Sequence, residues 1–210
     1  MTSDSFDRDS WERRWSKALR DNAHAVAQHP PNAHLLAETG ELPPGLALDA
    51  GAGHGADTLW LAKRGWRVTA VDFSATALNH ARASAEGLGA EIAERIDWIE
   101  ADLATWAPAA QRYDLVICQY VHVAGSVEDL VRRLSAGVAP GGTLFLVGYP
   151  PVDQATGAPT RAAGQVQISV EQAVAALDPD RWEILIAEDR PRHPAGTGVD
   201  AVVRATAIAT

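Results

Sequence analysis

The chain has 210 residues, enough for one sizeable α/β domain and too few for two full ones. Apolar side chains make up 47% and charged ones 21%, the balance of a soluble globular protein. The 27 acidic residues outnumber the 18 basic ones for a formal charge of −9, which disfavours general attraction to nucleic-acid phosphate or anionic lipid. The single cysteine, Cys118, excludes an intramolecular disulfide and any multi-cysteine metal site, and fits a reducing cytoplasm. The opening "MTSDSFDRDSWERRW" lacks the apolar core of a secretion signal, and no apolar run approaches the ~20 residues that span a bilayer. The expectation is a cytoplasmic protein without a membrane or nucleic-acid partner; oligomeric state is not legible.

Residues 1–45 differ in character from the rest of the chain. "DSWERRWSKALRDNAHAVAQ" is helix-compatible, with Trp11, Trp15 and Leu19 on one stripe. Pro30–Pro31 and Pro43–Pro44 then bracket a short helical segment. This part reads as a helical lid or brace on a main domain of residues 46–210, because it is too small for its own core.

From Leu46 the pattern alternates. "LALD" is a strand, "ADTLWLAKRG" a helix and "WRVTAVD" a strand. The helix after Ser74 carries Ala77, Leu78, Ala81 and Ala85 on one face. "RIDWIEAD" and "YDLVICQYV" are strands, and Val127, Leu130, Val131 and Leu134 mark an amphipathic helix before the strand "GGTLFLVGY". The irregular "PPVDQATGAPTRAAG" is either a mobile substrate loop or a plain connection. A helix "SVEQAVAAL" and the strands "WEILIAED" and "GVDAVVRATA" close the chain, the last two joined by a link short enough for antiparallel pairing. Strands separated by helices imply parallel pairing with helices on both faces, a doubly wound α/β sheet of about seven strands.

In such a sheet ligands sit at the carboxyl ends of the strands, so the glycine-rich turn "LDAGAGHG" is the prime site. Gly51, Gly53 and Gly55 allow a tight bend and close backbone approach. Asp72 ends the second strand 23 residues after Asp49, where an acid can accept hydrogen bonds from ribose hydroxyls. Gly51, Gly53 and Ala56 also satisfy G-x-G-x-x-G/A, so the turn alone fits a nicotinamide nucleotide as well. Asp49 tips the balance, since a carboxylate at the end of a buried strand adds nothing to a pyrophosphate site. Asp102 after the third strand is placed to accept from an adenine amino group, and "APGGT" makes a turn into the fifth strand.

With "LDAGAGHG", "VTAVDFS", "IEADL", "YDLVICQY" and "APGGTLFLV", residues 46–148 resemble the class I S-adenosylmethionine-dependent methyltransferases. "WERRW" and "PNAHLL" look like the small-molecule branch that includes thiopurine and tellurite-detoxifying enzymes. The resemblance implies a Rossmann-like seven-stranded sheet with an antiparallel last strand. It also implies an S-adenosylmethionine site built from Trp15, Asp49, Ala50, Gly51, Gly53, Gly55, Asp72, Phe73, Asp102, Leu103 and Gln119. Phe73 would lie against adenine, and Trp15 would close over the cofactor. Each has a plainer alternative: Asp72 as a helix cap, Asp102 as a solvated loop acid, Trp11 and Trp15 as buried anchors.

The family places residues facing the transferred methyl after the fourth strand, and Tyr120 and His122 are the candidates to assist deprotonation of an acceptor. His54 is read as surface or cofactor-adjacent. His24, His29, His34, His80 and His193 show no metal-ligand spacing, so no metal is expected. Cys118 reads as a small core residue. The expected activity is methyl transfer to an N, O or S atom of a small molecule. The alternatives are a non-catalytic S-adenosylmethionine-binding regulator and an NAD(P)-dependent oxidoreductase. Nucleic-acid amino-methyltransferases end the fourth strand in [D/N]-P-P-[F/Y], whereas this chain continues "CQYVHV".

Overall fold

A computed structural model describes residues 8–122, 125–150, 157, 167–192 and 198–209. Most of the segment "PPVDQATGAPTRAAG", and His193, lie outside the described residues. In chain order the elements are α1 (Arg8–Ala27), α2 (Ala33–Thr39), β1 (Leu46–Ala50), α3 (Ala56–Lys63), β2 (Arg67–Asp72), α4 (Ala75–Gly87), α5 (Ala90–Ala93), β3 (Ile96–Glu100), β4 (Tyr113–Gln119), α6 (Val127–Ser135), β5 (Val138–Gly148), α7 (Val170–Ala175), β6 (Trp182–Pro191) and β7 (Val199–Ala207). The strands form one seven-stranded sheet in the order β3-β2-β1-β4-β5-β7-β6. β1 to β5 are parallel, and β7 lies between β5 and β6, antiparallel to both. The strand order reverses between β1 and β4, which opens the crevice that doubly wound sheets use for ligands.

Consecutive apolar residues in the central strands face opposite layers. Leu48, Val116, Cys118, Leu144 and Leu146 pack under α6 with its Val127, Leu130, Val131 and Leu134. Ala47, Leu115, Ile117, Phe145 and Val147 pack against the layer of Leu61, Ala62 and Trp66 from α3 and its exit, with Leu35 of α2. This two-sided burial explains why the strands read as apolar runs instead of alternating ones. Each fully buried Leu or Ile contributes roughly 1.5–3 kcal/mol, so the sheet centre is the firmest part of the scaffold.

The helix starts are capped as their sequences dictate. Ser74 Oγ accepts from the Ala77 amide, Ser126 from Asp129 and Ser169 from Gln172. Asn32 caps α2, its Oδ1 accepting from the His34 and Leu35 amides. Two details differ from the pattern expected from sequence. α1 breaks at Asn22 (φ −161°, ψ 71°), whose side chain accepts from the Ala25 amide. "APGG" is a bulge inside β5 and not a turn before it: Tyr113 pairs with Val138 and Leu115 with Thr143, so the strand gains residues its partner lacks.

Candidate active site

A cavity of about 840 Å³ opens over the carboxyl ends of β1, β2 and β4 and runs beneath α1 to the ends of β5 and β6. Its wall includes Trp15, Asp49, Gly51, Gly53, Asp72, Phe73, Asp102, Leu103, Gln119, Tyr120 and His122. Ala50 and Gly55 stand outside it. Ala50 is buried in the layer beneath α6, and Gly55 starts α3 at φ +84°, where a Cβ would press on Ala81 of α4.

The glycine loop is held from both ends. The Gly51 and Ala52 amides donate to the Val71 carbonyl at 2.8 and 3.0 Å. The Gly53 amide donates to Asp72 Oδ2 at 2.9 Å, while Asp72 Oδ1 accepts from the Ser74 amide at 2.8 Å. Asp72 thus joins the glycine loop to the start of α4, and the cap of α4 itself is Ser74. The Trp15 indole covers the loop so closely that a Cβ on Gly53 would stand 3.1 Å from its ring, and it also meets the His54 ring at 5.4 Å.

Asp49 is buried at the end of β1, where its Oδ2 accepts from Thr58 Oγ1 at 2.5 Å. Asp57, in the first turn of α3, accepts from the Asn32 amide at 2.8 Å and from Gln119 Nε2 at 2.9 Å. Burial raises the Asp49 carboxyl to about 8, reinforced by the Asp57 and Asp72 charges and opposed by Thr58. Burial likewise lifts Asp57 to about 6 and moves Asp72 upward, in each case against amide hydrogen bonds. Three carboxyls crowded in one wall in this way favour a cationic ligand, which would relieve their repulsion. Among the described residues the buried Gln119 Oε1 has no hydrogen-bond partner, which leaves an acceptor at the same end. Asp102 is exposed at the far rim, bonded to the Ala104 amide at 2.8 Å, and Leu103 beside it is buried.

The other half of the cavity is aromatic. Tyr120 has φ +54°, unusual for a bulky residue, and this directs the chain out of β4. Its ring stacks on Tyr149 at 4.5 Å, and its hydroxyl donates to Asp200 Oδ2 at 2.9 Å and accepts from Asn32 Nδ2 at 3.2 Å. Burial, with the Asp200 carboxylate next, holds the Tyr120 phenol well above its ordinary range, so it remains protonated. His122 Nε2 lies 2.9 Å from Gln167 Nε2, and its ring is 5.2 Å from that of Trp11. Burial lowers His54 to about 4, with His29 and His80 adding to the effect, so this imidazole is neutral at pH 7.

Several wall residues were not singled out from sequence: Trp11 as a ring facing His122, Asn32, Asp57, Tyr149 and Arg192. Asp57 follows the glycine loop in the first helical turn, and Tyr149 ends the fifth strand as Gln119 ends the fourth, so both carried a positional signal. Arg192 and its partner Asp200 carried none, because only the β6–β7 pairing brings them to the site. Among the described residues, no group of three His, Cys, Asp or Glu side chains is placed to hold a metal ion, and no helix is long and apolar enough to cross a membrane.

Residues 47–142 match the family model described as "Methyltransferase domain". The chain is 38% identical over 142 residues to trans-aconitate 2-methyltransferase of Streptomyces avermitilis, covering 64% of this chain and 49% of that protein. It is 29% identical over 182 residues to probable thiol methyltransferase 2 of Arabidopsis thaliana, covering 85% of this chain and 76% of that one. The chain therefore spans about half the length of the Streptomyces relative and about three quarters of the plant one. In fold it resembles an S-adenosylmethionine dependent methyltransferase from Mesorhizobium loti, with a TM-score of 0.63, 20% identity, and coverage of 90% of this chain and 97% of that one. Residues 47–142 thus match a methyltransferase domain, and the fold, with its glycine loop and acids at successive strand ends, is similar to that of S-adenosylmethionine dependent methyltransferases of known structure.

Proposed function

We propose that the protein transfers the methyl group of S-adenosylmethionine to an N, O or S atom of a small molecule. The observation that carries this is the cavity's cofactor half, where the glycine loop allows close backbone approach and the crowded carboxyls of Asp49, Asp57 and Asp72, whose ionisation burial opposes, gain from a cationic ligand. A pyrophosphate-bearing nicotinamide nucleotide would meet repulsion at that wall, whereas the sulfonium and ammonium groups of S-adenosylmethionine would meet attraction.

Each wall residue has a separate task. Asp72 accepts from the ribose hydroxyls while holding Gly53 and Ser74 by its inner edge. Asp102 and Leu103 border the adenine with Phe73. Gln119 Oε1 and the glycine loop receive the amino-acid end, and Trp15 covers the loop and excludes water. The cofactor supplies an electrophilic methyl and a neutral thioether leaving group, so the protein's part is to position and desolvate the acceptor. His122 stands at the methyl-facing end of β4 as the group able to take a proton from a thiol or phenol. Tyr120, protonated and bonded to Asp200, orients the acceptor by its ring instead of acting as a base. The relatives' names attach transfer to an acid in one case and to thiols in another, so the acceptor atom is not carried over from either.

Asp72→Asn tests the cofactor assignment. Replacing one carboxylate oxygen with an amide should weaken S-adenosylhomocysteine binding about tenfold or more, as loss of a charged hydrogen bond does, and should also lower the melting temperature, because both oxygens accept from backbone amides. Unchanged affinity by calorimetry would remove Asp72 from the ribose site.

A further inference from the structure

The acceptor end of the cavity contains a cation held in an unusually fixed position. Arg192 follows β6, and its guanidinium is fixed on three sides. Nε donates to Asp200 Oδ1 at 2.8 Å, and Nη2 lies 2.7 Å from the same oxygen and 3.1 Å from the Val199 carbonyl. The guanidinium lies over the Tyr149 ring at 4.4 Å. Asp200 is fully buried and is itself held by the Tyr120 hydroxyl, with His34 Nε2 3.3 Å from its Oδ2. Among the described residues Nη1 takes no hydrogen bond, yet Arg192 stands in the cavity wall. An arginine with one edge satisfied and its face stacked has little freedom left to lose, so its remaining amino group is a ready donor for an anion.

Its place in the sheet separates it from the cofactor. Going from β1, the order runs through β4 and β5 to β7, and at roughly 4.8 Å per interval the β7 side lies ~14 Å from the glycine loop. The cavity is therefore polarised: Asp49, Asp57, Asp72 and Asp102 line the β1–β3 side, and Arg192 lines the β6–β7 side beside the stacked Tyr120 and Tyr149 rings. The other arginine of the wall, Arg8, belongs to the opposite rim, where it pairs with Glu100 of β3.

We propose that the methyl acceptor is a small planar acid whose carboxylate docks on Arg192 Nη1 and whose flat body lies along the Tyr120–Tyr149 wall. This rests on the methyltransferase reading of the same site. The buried chain Asn32–Tyr120–Asp200–Arg192 then serves to fix the docking cation. Asn32 also donates its amide to Asp57, so the cofactor wall and the docking cation share one hydrogen-bonded scaffold.

The test is calorimetric titration of the S-adenosylhomocysteine-saturated protein with benzoate, trans-cinnamate and fumarate, each beside its neutral carboxamide. At least one acid should bind at least tenfold more tightly than its amide. Arg192→Gln should abolish that preference, Arg192→Lys should retain part of it, and both should leave S-adenosylhomocysteine affinity unchanged. No binding by any acid, equal binding of acid and amide, or an acid preference that survives in Arg192→Gln would overturn the proposal. So would a loss of S-adenosylhomocysteine affinity in a folded Arg192→Gln protein, since it would place Arg192 at the cofactor. If Arg192→Gln fails to fold, the acid-to-amide ratio of the wild-type protein and the Lys variant decide. Failure of S-adenosylhomocysteine to bind the wild-type protein would count against the methyltransferase reading alone, and the acids would then be titrated into the free protein.

Discussion

At Gly51 the backbone turns at φ +89°, and a side chain there would overlap Cγ2 of Val121, the residue that leads out of β4 toward His122. Gly51→Ala therefore combines left-handed strain of about 1–3 kcal/mol with displacement of the methyl-facing segment. The expected result is a lower melting temperature together with a loss of S-adenosylhomocysteine affinity of about tenfold or more, on the scale of that strain. Gly87→Ala is the control, because Gly87 ends α4 with open space where a Cβ would stand and no positive φ. It should keep both properties. If Gly51→Ala bound cofactor as tightly as the wild type, the close approach of loop and ligand would be wrong. Tyr120 tolerates the same left-handed region without being glycine because its ring stack and two hydroxyl bonds hold it there.

The elements were largely legible, and the reason is local. Helix starts are written in single residues: Ser74, Ser126 and Ser169 each cap the helix they precede. Central strands are written as apolar runs because both faces are covered. The same locality made one wall of the cavity readable, since the glycine loop, Asp72, Asp102 and Gln119 each sit at or just after the end of a strand whose position comes from chain order. What escaped was pairing between distant segments. Arg192 and Asp200 meet only through the β6–β7 hairpin, and Asn32 meets Tyr120 across 88 positions of sequence. α5 was missed because a single turn carries too little periodic signal, and the β5 bulge reads in sequence as the turn that its Pro and glycines suggest.

For the whole molecule the concentration of buried acids in one wall has a thermodynamic consequence. Asp49 and Asp57 hold protons in the folded state up to about 8 and about 6, whereas unfolded aspartate releases them near 3.8. Between those limits the folded state binds more protons than the unfolded chain, so stability of the ligand-free protein should fall as pH rises from about 4 to about 8. A cationic ligand favours the ionised acids, so its affinity should rise over the upper part of that window. Melting temperatures measured from pH 5 to pH 8 should decline, and Asp49→Asn should flatten the decline. An equally steep decline in the Asn variant would mean that other groups govern it.

The central claim is that this acidic, glycine-lined wall selects S-adenosylmethionine over a dinucleotide. It is tested most directly by calorimetric titration of the protein with S-adenosylmethionine, S-adenosylhomocysteine, NAD and NADP side by side. The two sulfur compounds should bind, and neither nicotinamide nucleotide should give a heat of binding. Binding of NAD or NADP with no response to S-adenosylmethionine would contradict this selection, and the roles given to Asp49 and Asp72 would fall together.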